Sequence, residues 1–112
     1  MKAYAVALLE DIRMGPPIVE YLERIDSTFA PYDGRFIVHG GEQEVLEGPN
    51  PGVLVVVEFP DRDRAEAWYR SDAYQAILPL RVDNSRSRAL LVDGVEADHR
   101  ATDVLDVAPR GA

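Results

Sequence analysis

The chain has no cysteine. That one absence excludes disulfides, thiolate nucleophiles, cysteine metal sites and thiol redox chemistry. Histidine is nearly as scarce: His39 and His99 stand sixty positions apart, so a metal site would need an unusual carboxylate set, and none is expected. Positive charge is also in deficit, with 12 basic against 20 acidic residues and a formal net charge of −8. A phosphate backbone or an anionic bilayer repels such a surface, so neither nucleic acid nor a membrane is an expected partner. The local group Arg81, Arg86 and Arg88 is too sparse for a nucleic-acid footprint. The charge serves solubility instead.

No apolar run approaches the roughly 20 residues that span a bilayer. The apolar start, Ala3 to Leu9, is cut short by Glu10-Asp11 with no small-residue cleavage site after it. It therefore reads as the first strand of the fold rather than a signal peptide, and a cytoplasmic location is the expectation. A Gly-rich phosphate loop and a Ser-His-Asp signal are both missing, and no cofactor is expected.

What is present suits one small domain. Of 112 residues, 46% are hydrophobic and 29% charged, enough to bury a core but not to build two. In the first strand Tyr4, Val6 and Leu8 alternate with Ala3, Ala5, Ala7 and Leu9, so both faces are apolar. Gly15-Pro16-Pro17 opens a helix in which Ile18, Leu22, Ile25 and Phe29 share one side, and Pro31 with Asp33-Gly34 ends it. A second strand spans 35–39, stopped or bulged by Gly40-Gly41. The polar connection 42–52 contains a short extended piece, Glu44-Val45-Leu46. Residues 53–59 form the strongest strand, β-branched on both faces as a central strand is. Asp61 or Asp63 caps the next helix, with Trp68 and Tyr69 in its core-facing side. Ser71-Asp72 starts another, and Pro79 kinks or restarts it. Residues 86–93 are the last strand.

This order, β-α-β-β-α-β, predicts an α+β fold: an antiparallel sheet with the first and third strands central and the helices on one face. The other face is also apolar and needs a cover. A second copy of the sheet is the simplest one, so a homodimer through the sheet face is the expected partner. Residues 1–95 make the domain and 96–112 a C-terminal extension. In that extension Val104-Leu105 with Val107 are apolar enough to pack on the body or on the partner subunit.

An ordered set of short pieces runs through the chain: 34–41 (GRFIVHGG), 44–48 (EVLEG), 57–60 (VEFP), 67–71 (AWYRS), Tyr74-Gln75 and Leu80-Arg81. Together they resemble an uncharacterised bacterial family of roughly hundred-residue proteins within the dimeric α+β barrel superfamily. The resemblance covers most of residues 2–95. It departs at Asp33-Gly34, where relatives often have paired glycines, and at His39, where they often have arginine. It implies a ferredoxin-like subunit whose sheet packs face to face with a partner's. The superfamily also holds cofactor-independent monooxygenases, lactone isomerases, dehalogenases, haem-degrading enzymes and ligand modules of transcription factors, so fold says little about reaction.

Five residues are candidates for a site. His39 ends a strand beside two glycines, where a ligand can approach, and Arg35 two turns of the pleat away would share its face. Arg35 is suited to gripping a carboxylate or phosphate, or to a salt bridge. Glu58 interrupts an apolar strand; if buried its pKa would rise and it would serve as a general base, and otherwise it pairs with an arginine. His39 and Glu58 are the catalytic candidates. Tyr74 and Arg81 lie where a pocket between helix and sheet would open and, with Arg35, are the substrate-binding candidates; packing and solvation are the competing roles. Two functions follow: a protein that binds or converts a small organic molecule, anionic where Arg35 grips it, in a pocket of each subunit without a cofactor, or a non-catalytic ligand-binding or assembly protein.

Overall fold

The structure, a computed structural model, describes residues 1–106. Its elements are β1 (Ala3–Glu10), α1 (Pro16–Phe29), β2 (Arg35–His39), β3 (Val53–Phe59), α2 (Arg62–Arg70), α3 (Asp72–Val82) and β4 (Arg86–Asp93), with 3-10 turns at Ala30–Tyr32 and Ala101–Asp106. The four strands form one antiparallel sheet in the order β2-β3-β1-β4. The two most apolar strands are central, as expected.

Register divides the sheet into two faces. Ala5 lies opposite Val57 and Leu91, and Ala7 opposite Val55 and Ala89, so these residues point together. They face the helices, and the buried core (Tyr21, Ile25, Phe29, Val57, Phe59, Trp68, Tyr74, Ile77) lies between them. The second face carries the row Val38–Val56–Val6–Leu90, flanked by Tyr4, Val92, Leu8 and Leu54. No helix covers it.

Local chemistry explains the helix limits. Asp61 is the cap of α2, accepting from the Arg64 backbone N–H at 2.8 Å. Ser71 closes α2 and caps α3, its Oγ accepting from the Tyr74 N–H at 3.2 Å. That fresh start lets α3 run on through Pro79, which sits in its last turns and costs one backbone bond rather than a break. On α1 the buried stripe is Ile18, Tyr21, Ile25, Thr28 and Phe29; Leu22 is exposed and Tyr21 takes the inward place.

Three details refine the expected elements. Residues 44–46, expected as a short extended piece of the connection, join no strand of the sheet and are exposed. Of the two roles expected for Gly40-Gly41 they take the first, stopping β2 after His39 with positive φ angles of 68° and 83°, and the bulge falls at Ile37. In the extension, Val104 and Leu105 are exposed in the single subunit, which leaves only the partner for the packing expected of them, and Val107 lies outside the described residues.

Candidate functional site

A cavity of about 350 Å³ opens between the helices and the sheet. Its origin is the size alternation in β1. Ala5 and Ala7, with Ala89 beside Ala7 on β4, form a floor of methyl groups where larger residues would meet the helices. Tyr21 and Ile25 of α1, Trp68 and Tyr69 of α2, and Tyr74 and Arg81 of α3 make the walls. Arg62, Glu66 and Arg70 line the α2 side, where Arg62 and Arg70 are solvent-exposed. The volume falls at the low end of the roughly 300–1,000 Å³ usual for ligand pockets.

The polar groups inside are few and connected. The Tyr21 and Tyr74 hydroxyls are 2.8 Å apart in a hydrogen bond. The Tyr74 ring lies 4.2 Å from that of Trp68, centroid to centroid, and 5.6 Å from that of Tyr69. Trp68 is pinned by its Nε1, which donates to Thr28 Oγ1 at 3.0 Å. Burial, then the neighbouring Tyr74 hydroxyl, push the Tyr21 phenol far above its ordinary value, so it stays protonated at neutral pH. Arg81 is 5% exposed, and its Nη1 donates to Ser87 Oγ at 2.6 Å. Burial pulls its pKa down, but the adjacent Tyr74 and Tyr21 oxygens outweigh that and raise it; the guanidinium is a cation throughout.

The other candidates are elsewhere. Arg35 and Glu58 are register partners on the face away from the helices, joined by Arg35 Nη2 to Glu58 Oε1 at 3.0 Å, with Lys2 Nζ 3.3 Å from the same oxygen. Burial pushes the Glu58 carboxyl up, yet hydrogen bonds from Arg35 and Lys2 outweigh it and hold the group below its usual 4.5. It is thus the ion-paired carboxylate, not a raised-pKa base. Because its folded pKa is depressed, its stabilisation is fully present above about 4.5 and is lost as pH falls through the lower folded value. Glu58→Gln is therefore expected to lose less stability than the wild type on acidification from pH 5 towards 2, measured by urea unfolding at each pH. Parallel loss in both proteins would show that the pairing is energetically idle.

His39 does not join them. The bulge inserts Ile37 between the pairs Phe36↔Val57 and Val38↔Val56, which reverses the alternation of the remaining strand. Arg35 stays on the uncovered face while His39, opposite Val55, turns to the helix side. There it stacks on Phe36 at 4.2 Å with an interplanar angle of 4°. The expected shared face of Arg35 and His39 is overturned, and the cavity lining includes neither His39, Arg35 nor Glu58. Among the described residues no group of three or more histidines and carboxylates is placed to hold a metal. Nor is any helix long and apolar enough to cross a membrane.

Residues 2–95 match the model of a family described as Domain of unknown function (DUF1330). The chain belongs to that family. No curated protein matches it. A protein of unknown function from Rhodopseudomonas palustris is similar in structure, with TM-score 0.64 and 16% identity over 85% of this chain and 83% of that one. So is a dimeric ferredoxin-like protein of unknown function from Jannaschia sp. CCS1, with TM-score 0.63 and 15% identity over 84% of this chain and 100% of that one. SnoaB, a cofactor-independent oxygenase from Streptomyces nogalater, gives TM-score 0.55 and 16% identity over 88% of this chain and 98% of that one. At these identities the likeness establishes the fold: this DUF1330 domain is ferredoxin-like.

Of the five candidates, then, the DUF1330 domain brings Tyr74 and Arg81 together in the cavity, pairs Arg35 with Glu58 on the opposite face, and leaves His39 alone at a strand end. Two contributors were missed. Tyr21 follows Ile18 by three and precedes Ile25 by four, so helical spacing alone points it inward. The alanine floor was legible as the small half of the β1 alternation.

Proposed function

We propose that this protein is a homodimer, joined through the uncovered sheet face, in which each subunit binds a small organic molecule in the cavity between helices and sheet. One observation carries the binding reading: a largely apolar cavity of about 350 Å³, walled in part by the rings of Trp68 and Tyr69, with a few converging polar groups, Tyr21, Tyr74 and Arg81. The dimer is supported by the apolar row Val38–Val56–Val6–Leu90 and by the dimeric state named for the Jannaschia protein of the same fold. SnoaB supports small-molecule chemistry without a cofactor as something this fold can host. Any conversion falls to the cavity's own phenols, since His39 and Glu58 lie outside it. A cytoplasmic setting belongs to the same reading, with residues 3–10 used as a structural strand. The division into a domain at 1–95 and an extension from 96 is kept, the extension's Val104 and Leu105 being exposed for contact with the partner.

The test is a thermal-shift screen of small aromatic and alicyclic compounds against the wild type and Ala7→Leu. The larger side chain occupies the cavity floor without touching the uncovered face. It is expected to abolish the ligand-induced rise in melting temperature while the dimer mass is unchanged. Compounds that stabilise both proteins equally would show that binding is somewhere else.

A further inference from the structure

We infer that the ligand of this cavity is a small planar aromatic carboxylate, its anion received by Arg81 and the Tyr21–Tyr74 hydroxyls and its ring held against Trp68 and Tyr69. The inference rests on the cavity being the binding site and names the class of molecule it takes.

Charge placement is the first argument. The arginines that form ion pairs here are surface groups, with side chains 43–74% exposed. Arg81 is the buried one among the described residues, and it meets no carboxylate there. A chain with 20 acidic residues had ample means to neutralise it. Its neighbours are neutral phenol and hydroxyl oxygens that satisfy hydrogen bonds but supply no opposite charge, and an arriving anion would supply one. Three arginines and one glutamate line the cavity, and with Asp93, which pairs with Arg62 at 3.1 Å, the local balance is +1 in a protein of net −8, the unpaired charge being that of Arg81. An anion is thus drawn to this place on an otherwise repelling surface.

Hydrogen-bond inventory gives the second. Two hydroxyls in contact use one of their two protons on each other. The other proton remains to be donated, beside a guanidinium whose fork matches a carboxylate's two oxygens. The third argument is shape. Walls built from the clustered rings of Trp68, Tyr69 and Tyr74, over a floor of alanine methyls, suit a flat apolar body rather than a branched or sugar-like one. The modest volume limits that body to one or two rings.

Titration calorimetry on the full chain with 2-naphthoate, 2-naphthamide and hexanoate separates these points. At pH 7 the naphthoate is expected to bind about tenfold or more tightly than the amide, and hexanoate weakly. Arg81→Gln should erase the preference for naphthoate while leaving amide affinity in place, and Arg81→Lys should retain part of it. If the arginine variants fail to fold, the comparison of the three probes on the wild type still decides. Equal affinities for acid and amide, both lost in Ala7→Leu, would overturn the carboxylate assignment and leave the cavity as a binding site. Hexanoate binding as tightly as naphthoate would overturn the aromatic assignment. No binding by any probe would overturn the inference, and the wider screen against Ala7→Leu would then judge the cavity alone.

Discussion

Replacing Trp68 by alanine is expected to destabilise the protein by roughly 3–5 kcal/mol, the range seen when a buried large aromatic is truncated. The indole is 4% exposed and touches rings from three directions: Phe59 on β3 at 5.3 Å, Tyr74 on α3 at 4.2 Å and Phe29 on α1 at 6.5 Å, centroid to centroid. It therefore ties α2 to the sheet and to both other helices. Its Nε1 bond to Thr28 adds about 1 kcal/mol, since the hydroxyl loses a donor when the ring is removed. Truncation also merges the vacated space with the neighbouring cavity, so the surroundings have little reason to collapse around it. Urea unfolding of both proteins at one subunit concentration measures the difference, because stability of a dimer depends on concentration. A change below about 1 kcal/mol would show that Trp68 is a dispensable contact.

Val6→Glu is expected to turn the dimer into a folded monomer. Val6 lies in the middle of β1, on the uncovered face, between Val56 and Leu90. In a lone subunit the new carboxylate stands in water and costs little. Between two sheets it would be an unpaired buried charge, with a penalty of about 3–5 kcal/mol, which weakens association by at least two orders of magnitude. Light scattering at micromolar concentration reads the outcome directly, with circular dichroism confirming the fold. A variant with the mass of the wild type, or a wild type that is itself monomeric, would remove the sheet-to-sheet assembly.

The fold was legible because each strong signal was local. Alternation in β1, β-branched residues in β3, and the caps Asp61 and Ser71 all act within a few positions, and each met its structural counterpart. The site was legible only in part. Tyr74 and Arg81 follow from helical periodicity over a sheet, whereas the facing of His39 depends on an inserted Ile37 that pattern reading cannot locate: RFIVH fits an unbroken strand equally well. The Arg35–Glu58 pair required the register between β2 and β3, which a thirteen-residue connection leaves open. Similarly, Leu22 and Tyr21 both continue an apolar stripe from Ile18, and only the packing of α1 on α3 selects the tyrosine.

The alternation of β1 also separates two kinds of evolutionary freedom. Its odd positions, Ala5 and Ala7, face the helices and floor the cavity; its even positions, Tyr4, Val6 and Leu8, face the uncovered side, with Val6 also at the cavity's border. With a ligand in the cavity and a second copy on the uncovered face, a single nucleotide change that enlarges one alanine would retune molecular selectivity and leave assembly intact, and one at Leu8 would do the reverse. Interleaving the two tasks on one central strand would let a lineage exchange its ligand without rebuilding its quaternary structure.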